Sequence, residues 1–231
     1  MAEAALYDLL TWMSPGWPIG AFAHSGGLEW AVEAGHVVDA AGCAAWLGDL
    51  LGHGALRNDA VLFVHAWRAA AAEDRARLVA VAELALASQT GFERRLEASA
   101  QGAAFHRIAL ATADHGRFAA LLALAEDAEL AYPVAAAVQC ACNGVALAPA
   151  LTAFLHAAVA NLVSAAQRLV PLGQTDGQRL LRGLRPKVFA LAEEAAALPD
   201  DDPFTQLGGC TLVAELGCMA HETQYTRLFR T

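Results

Sequence analysis

Between Leu130 and Gln167 the chain carries no Asp, Glu, Lys or Arg. Such a stretch has to be taken out of water, either in a bilayer or in the middle of a folded domain. The residues themselves favour the interior. Pro133, Gly144 and Pro149 interrupt the run, Gln139, Asn143, His156 and Asn161 punctuate it, and much of its apolar character comes from alanine, which adds little to membrane insertion. Two helices buried on most sides are the expectation, either as core or at an oligomer interface.

The rest of the chain repeats helical periodicity. Leu6, Leu9, Leu10 and Met13 share one side of a segment from Glu3 to Met13, which the loop Ser14 to Gly20 stops. Further helices are predicted over Phe22–Ala34, from an Asp39 N-cap through Leu51, and over Asn58–Ala72, Asp74–Ser88, Thr90–Ala113, Gly116–Leu130 and Ala150–Leu169. Gly173 to Gln178 reads as a polar turn leading into two shorter helices split by Pro186. No strand pattern competes. The fold class expected is all-α, a single helical bundle over residues 1–198, with 199–231 a partly irregular tail that gains order against a partner.

Charge and motifs exclude several functions. With 15 basic against 24 acidic residues and a net charge of −9, the chain offers no broad cationic face for nucleic acid. The five cysteines, odd in number and mostly in apolar surroundings, suit reduced thiols in the cytoplasm, and the acidic N-terminus does not resemble an export signal. The single lysine, Lys187, follows Pro186 rather than closing a phosphate-binding loop, and no βαβ unit is present to carry a dinucleotide fingerprint. His24-Ser25 lacks the setting of a nucleophile elbow. Cys140 and Cys142 point to nearly opposite sides of a helix. Cys218 and His221, three apart, would share a face, but two ligands make a weak metal site.

Three segments carry a resemblance: Pro18-Ile-Gly-Ala-Phe-Ala-His-Ser-Gly-Gly-Leu-Glu29, Leu172-Gly-Gln-Thr-Asp-Gly-Gln178, and His221-Glu-Thr-Gln-Tyr-Thr-Arg-Leu-Phe-Arg230. In this order and at these separations they resemble the urease accessory protein UreF family. The resemblance implies a non-enzymatic chaperone that, with UreD (also called UreH) and the GTPase UreG, assembles on apo-urease and promotes nickel insertion. It implies a homodimer, no cofactor of its own, nickel as cargo and GTP on UreG. By the same resemblance Glu222, Tyr225, Arg227, Leu228, Phe229 and Arg230 would face UreD. Gln174, Asp176 and Gln178 would face UreG, and Pro18, Gly20, Phe22, His24, Ser25 and Glu29 would shape or present the N-terminal corner. The competing expectations are a small helical metal-dependent enzyme, requiring Cys218 or His221 as ligands, and a membrane-embedded helical protein.

Overall fold

The computed structural model describes residues 3–112 and 129–231. The helices are α1 (Glu3–Trp12), α2 (Leu28–Glu33), α3 (Ala40–His53), α4 (Ala55–Ala71), α5 (Arg75–Ala87), α6 (Gly91–Thr112), α7 (Tyr132–Cys142), α8 (Leu147–Leu169), α9 (Gln174–Ala196) and α10 (Leu212–His221), with 3-10 turns at Ala21–Ala23 and Pro203–Thr205. No strand occurs among the described residues, and the fold is all-α. The helix expected over Gly116–Leu130 falls almost wholly outside the described residues.

The uncharged stretch forms the middle of the molecule. Every residue of α7 from Tyr132 to Ala141 is buried, and α7 is sandwiched between α4 and α6 while also touching α8 and α5. Gly102 of α6 makes the approach possible, because a Cβ there would overlap the Leu130 carbonyl at the entry to α7. The helix α8 has the length and composition to cross a membrane, at a mean hydropathy of 1.5 over its most apolar window. In the fold it packs against α9, α4 and α7 through Leu151, Phe154, Leu155, Leu162 and Val163.

Local chemistry sets the helix ends. Asp39 accepts from the Gly42 N–H at 2.8 Å and Asp74 from the Arg77 N–H at 3.1 Å, two N-caps that start α3 and α5. Two expectations are corrected. The segment Phe22–Ala34 is not one helix, because Gly26 and Gly27 adopt left-handed φ values of 59° and 81°, which delays α2 to Leu28. The polar stretch 174–178 is the first turn of α9 rather than a connection, and α9 runs unbroken through Pro186. That proline lies on the exposed face, where water can satisfy the freed Arg182 carbonyl.

From Pro199 onward the chain lies on this body. The stretch 199–209 runs along α4, α10 packs against α2 and α6, and 222–231 returns to the loop before α2.

Candidate functional site

The first and third of the sequence segments singled out above meet at one end of the molecule, and Gly27 governs their approach. Its left-handed backbone and lack of a side chain let α2 lie against α10, since a Cβ at this position would come within 2.8 Å of the Cys218 sulfur. Two residues on, in the first turn of α2, the Glu29 carboxylate therefore reaches His221 at the end of α10. The fully buried His221 ring spans two carboxylates, with Nε2 2.9 Å from Glu29 Oε2 and Nδ1 2.7 Å from Glu93 Oε2 of α6. Ionised carboxylates only accept, so a ring bonded to both must donate from both nitrogens, and His221 is an imidazolium.

Arg227 completes the charge balance by donating from Nη1 to Glu93 Oε1 at 2.8 Å. Two anions and two cations sum to zero, the condition under which such a cluster tolerates burial. The remaining capacity of Glu29 goes to main chain: Leu228 N–H donates to Oε1 at 2.6 Å and Phe229 N–H to Oε2 at 2.9 Å. Glu222 caps α6, its Oε1 accepting from the Phe92 N–H at 2.9 Å, so negative charge sits at the positive end of the helix that supplies Glu93.

Further along, the Arg230 N–H donates to Ala23 O at 2.7 Å, the Ser25 N–H to Thr231 O at 2.7 Å, and His24 Nδ1 lies 2.6 Å from Thr231 Oγ1. Burial holds the His24 imidazole below its usual range. The Phe229 ring is buried with the Arg168 guanidinium 4.1 Å above it, and Arg168 Nη2 donates to Phe22 O at 2.7 Å.

The main-chain N–H groups of Leu228, Phe229 and Arg230 turn inward, and the side chains of Tyr225, Leu228 and Arg230 turn outward. Tyr225 is fully exposed, Leu228 is 62% exposed, and Phe22, across the corner, is 70% exposed. Arg230 and Pro18 are exposed as well. By contrast Glu29, His24, Ser25 and Phe229 are buried and hold the corner together. Gly20 takes a left-handed φ of 75° ahead of the 3-10 turn.

The Gln174 segment joins the same end through α8. Gln167, next to Arg168, donates from Nε2 to Gly173 O at 3.3 Å and lies 3.4 Å from Gln174 Oε1. Asp176 accepts from the Gly173 N–H at 3.2 Å and pairs with Arg179, which spends it on starting α9. Gln174 and Gln178, four apart, are both exposed on one face.

Sequence reasoning missed two contributors, Glu93 and Arg168. Glu93 reads as an ordinary first-turn acid and Arg168 as an ordinary last-turn base, and nothing local signals that either faces a segment more than 50 residues away.

Beneath the corner lies a cavity of about 690 Å³, walled by Trp12, Trp17, Tyr132 and Phe154 and edged by Asp59, Arg94 and Glu97. Burial pushes the Asp59 carboxyl up to about 6. Among the described residues no group of three or more His, Cys, Asp and Glu is arranged to hold a metal. Cys218 and His221 offer none between them. Burial pushes the Cys218 thiol up to about 12, and both His221 nitrogens are bonded to carboxylates.

The UreF family model matches residues 37–185. Urease accessory proteins UreF of Rhodopseudomonas palustris are similar over nearly the whole chain: the strain BisB18 protein is 51% identical, covering 99% of this chain and 92% of its own length. The strain HaA2 protein is 52% identical, covering 99% and 94%. UreF of Bradyrhizobium diazoefficiens is 49% identical over 99% of this chain and 92% of its own. With a family model over most of the helical body and relatives at about half identity from end to end, this chain belongs to the UreF family of urease accessory proteins.

Proposed function

We propose that this chain is a maturation adaptor, not an enzyme, that joins UreD (UreH) and the GTPase UreG on apo-urease and promotes nickel insertion there. Nickel is the cargo of the complex, GTP belongs to UreG, and the adaptor works in the cytoplasm as a homodimer without a cofactor of its own. The observation that carries this reading is the division of labour in residues 222–230. Buried charge fixes the main chain at Glu29 and Glu93, while Tyr225, Leu228 and Arg230 project into solvent. Pre-ordered aromatic, apolar and Arg anchors are what a protein-binding surface needs, because ordering them beforehand removes part of the entropy lost on docking.

UreD is assigned to this face, with 199–231 as the partner-facing unit that tightens further on docking. UreG is assigned to the exposed pair Gln174 and Gln178 at the start of α9, adjacent to the corner through Gln167 and Arg168. The test is light scattering after size-exclusion chromatography of the chain alone and with its organism's UreD and UreG plus GDP. A dimer that shifts into a complex holding both partners, lost for UreD with Tyr225→Ala and Leu228→Asp together and for UreG with Gln174→Ala and Gln178→Ala together, is expected. Complexes of unchanged mass and stability with either double variant would refute that assignment, and no complex between wild-type proteins would refute the adaptor reading.

A further inference from the structure

The stretch 199–209, which joins α9 to α10, is strapped to α4 by a row of polar side chains. Asn58 exchanges two bonds with Gly209, donating from Nδ2 to its carbonyl at 2.9 Å and accepting its N–H at 3.0 Å. Arg57 donates to Gln206 O at 3.2 Å and Arg68 to Pro199 O at 3.4 Å. At the centre of the row is His65, fully buried.

The neighbours of His65 dictate its state. Gln206 commits its amide nitrogen to Pro199 O at 3.0 Å, so its Oε1 is the atom that faces His65 Nε2, 2.8 Å away, and Nε2 carries the hydrogen. Arg77 Nη2 lies 2.9 Å from Nδ1, and a guanidinium cannot accept, so Nδ1 must be the acceptor. The ring is neutral, with a single tautomer. Arg77 at the same time forks onto Asp200, its Nη1 2.6 Å from Oδ2 and its Nη2 on Oδ1. The imidazole is therefore the piece that lets Arg77 and Gln206 close together over α4.

We propose that His65 is a proton-operated latch: a proton taken up at Nδ1 leaves two N–H groups facing each other, displaces Arg77, and frees residues 199–209 from α4. The groups facing the ring are Arg77 from α5, Arg68 from its own helix, and Asp200 and Gln206 from the strap. Asp59, also on α4, lines the cavity, and Asp202 in the strap caps the Phe204 N–H. The helices α7 and α8 bring no charged side chain before Arg168. On α3 Asp49 and His53 are exposed, as are Glu193 and Glu194 of α9, which buries Ala192 and Ala195 instead. Among the described residues the two bonded to the ring are Arg77 and Gln206, and neither offers a carboxylate to accept a new N–H at Nδ1.

The sign follows from the two states. Burial holds the His65 imidazole below its ordinary 6.5; the Gln206 bond opposes this, and Arg77 and Arg68 push it lower still. In the opened segment the ring meets water and titrates near 6.5. The latch is fully engaged above that value and loses hold as pH falls through it, by up to about tenfold in the closed-to-open ratio per pH unit until the closed-state value is reached. Asp200 does not itself titrate in this window, because the Arg77 fork keeps it ionised down to about 2, and its charge opposes the downward shift of His65 without cancelling it. The His221 ring, with both nitrogens on carboxylates, keeps residues 221–231 in place while the joint before α10 loosens.

Hydrogen exchange of the full chain, read by mass spectrometry from pH 7.5 to 5.0 and corrected for intrinsic rates, tests the latch. Protection of 199–209 is expected to fall by up to about tenfold per pH unit below 6.5 while that of 222–230 holds. In His65→Gln, whose amide can donate to Gln206 and accept from Arg77 without titrating, protection of 199–209 is expected to stay level. Constant protection in the wild type, or an equal fall in both proteins, overturns the proposal. Independently of any variant, the nitrogen resonances of ¹⁵N-labelled histidine are expected to show His65 with hydrogen on Nε2 alone at pH 7 and a midpoint below 6.5. A doubly protonated His65 at pH 7 overturns it as well.

Discussion

Two buried histidines hold the C-terminal part of the chain to the helical body, and they do so in opposite states. His221 lies between two carboxylates and is charged, whereas His65 lies between a guanidinium and an amide oxygen and is neutral. Both rings are fully out of water, so burial does not separate them. What separates them is whether the groups facing each nitrogen accept or donate. The lesson is that a histidine's role in such a fold cannot be read from its burial, and that one ring can bridge two carboxylates while another keeps a nitrogen facing a cation.

The largest effect expected from breaking this comparison is at Glu29. Glu29→Gln leaves an imidazolium uncompensated and turns an amide N–H toward donors on Leu228 and Phe229. The expected cost is about 3–5 kcal/mol, read from the urea midpoint with the slope unchanged. A loss below about 1 kcal/mol would show that the cluster is not a charged one. Next is Gly27→Ala, which places a Cβ against Cys218 Sγ at a left-handed φ and is expected to cost about 1–3 kcal/mol. Cys218→Ala in the same chain should recover the contact with the sulfur, but neither the close approach to Cys218 N and Ala214 O at 3.1 and 3.2 Å nor the cost of the left-handed φ. Strict additivity of the two substitutions would place the cost wholly in the backbone.

The smallest effect is expected on the other side of the comparison. Asp200 is more than half exposed, so Asp200→Asn should cost less than about 1 kcal/mol despite its fork with Arg77. A cost as large as that of Glu29→Gln would mean that the strap is anchored by the ion pair rather than by His65.

Much of the helical body was legible in the sequence. The caps at Asp39 and Asp74 and the stripes of α4, α5 and α8 follow from short-range chemistry that a helix cannot hide. The errors fall where backbone exceptions decide. Two successive glycines broke one expected helix at Gly26 and Gly27. A proline on a solvated face failed to break another at Pro186, and a polar stretch that reads as a turn became the first turn of α9 because Asp176 caps it. Of the candidate site, the sequence marked the corner and the terminal segment but not their separation into buried and outward residues.

The amino-acid order alone therefore determined most of the helices, the burial of the uncharged stretch, and the family, all of which depend on neighbours within a few turns or on motifs preserved in line. Only the tertiary structure decided that Glu29, Glu93, His221 and Arg227 form one neutral cluster and that His65 does not share its charge state. Those partners lie from 6 to 198 positions apart along the chain. A proton's free energy depends on distances in space, and these are set by the packing of whole helices rather than by any local signal.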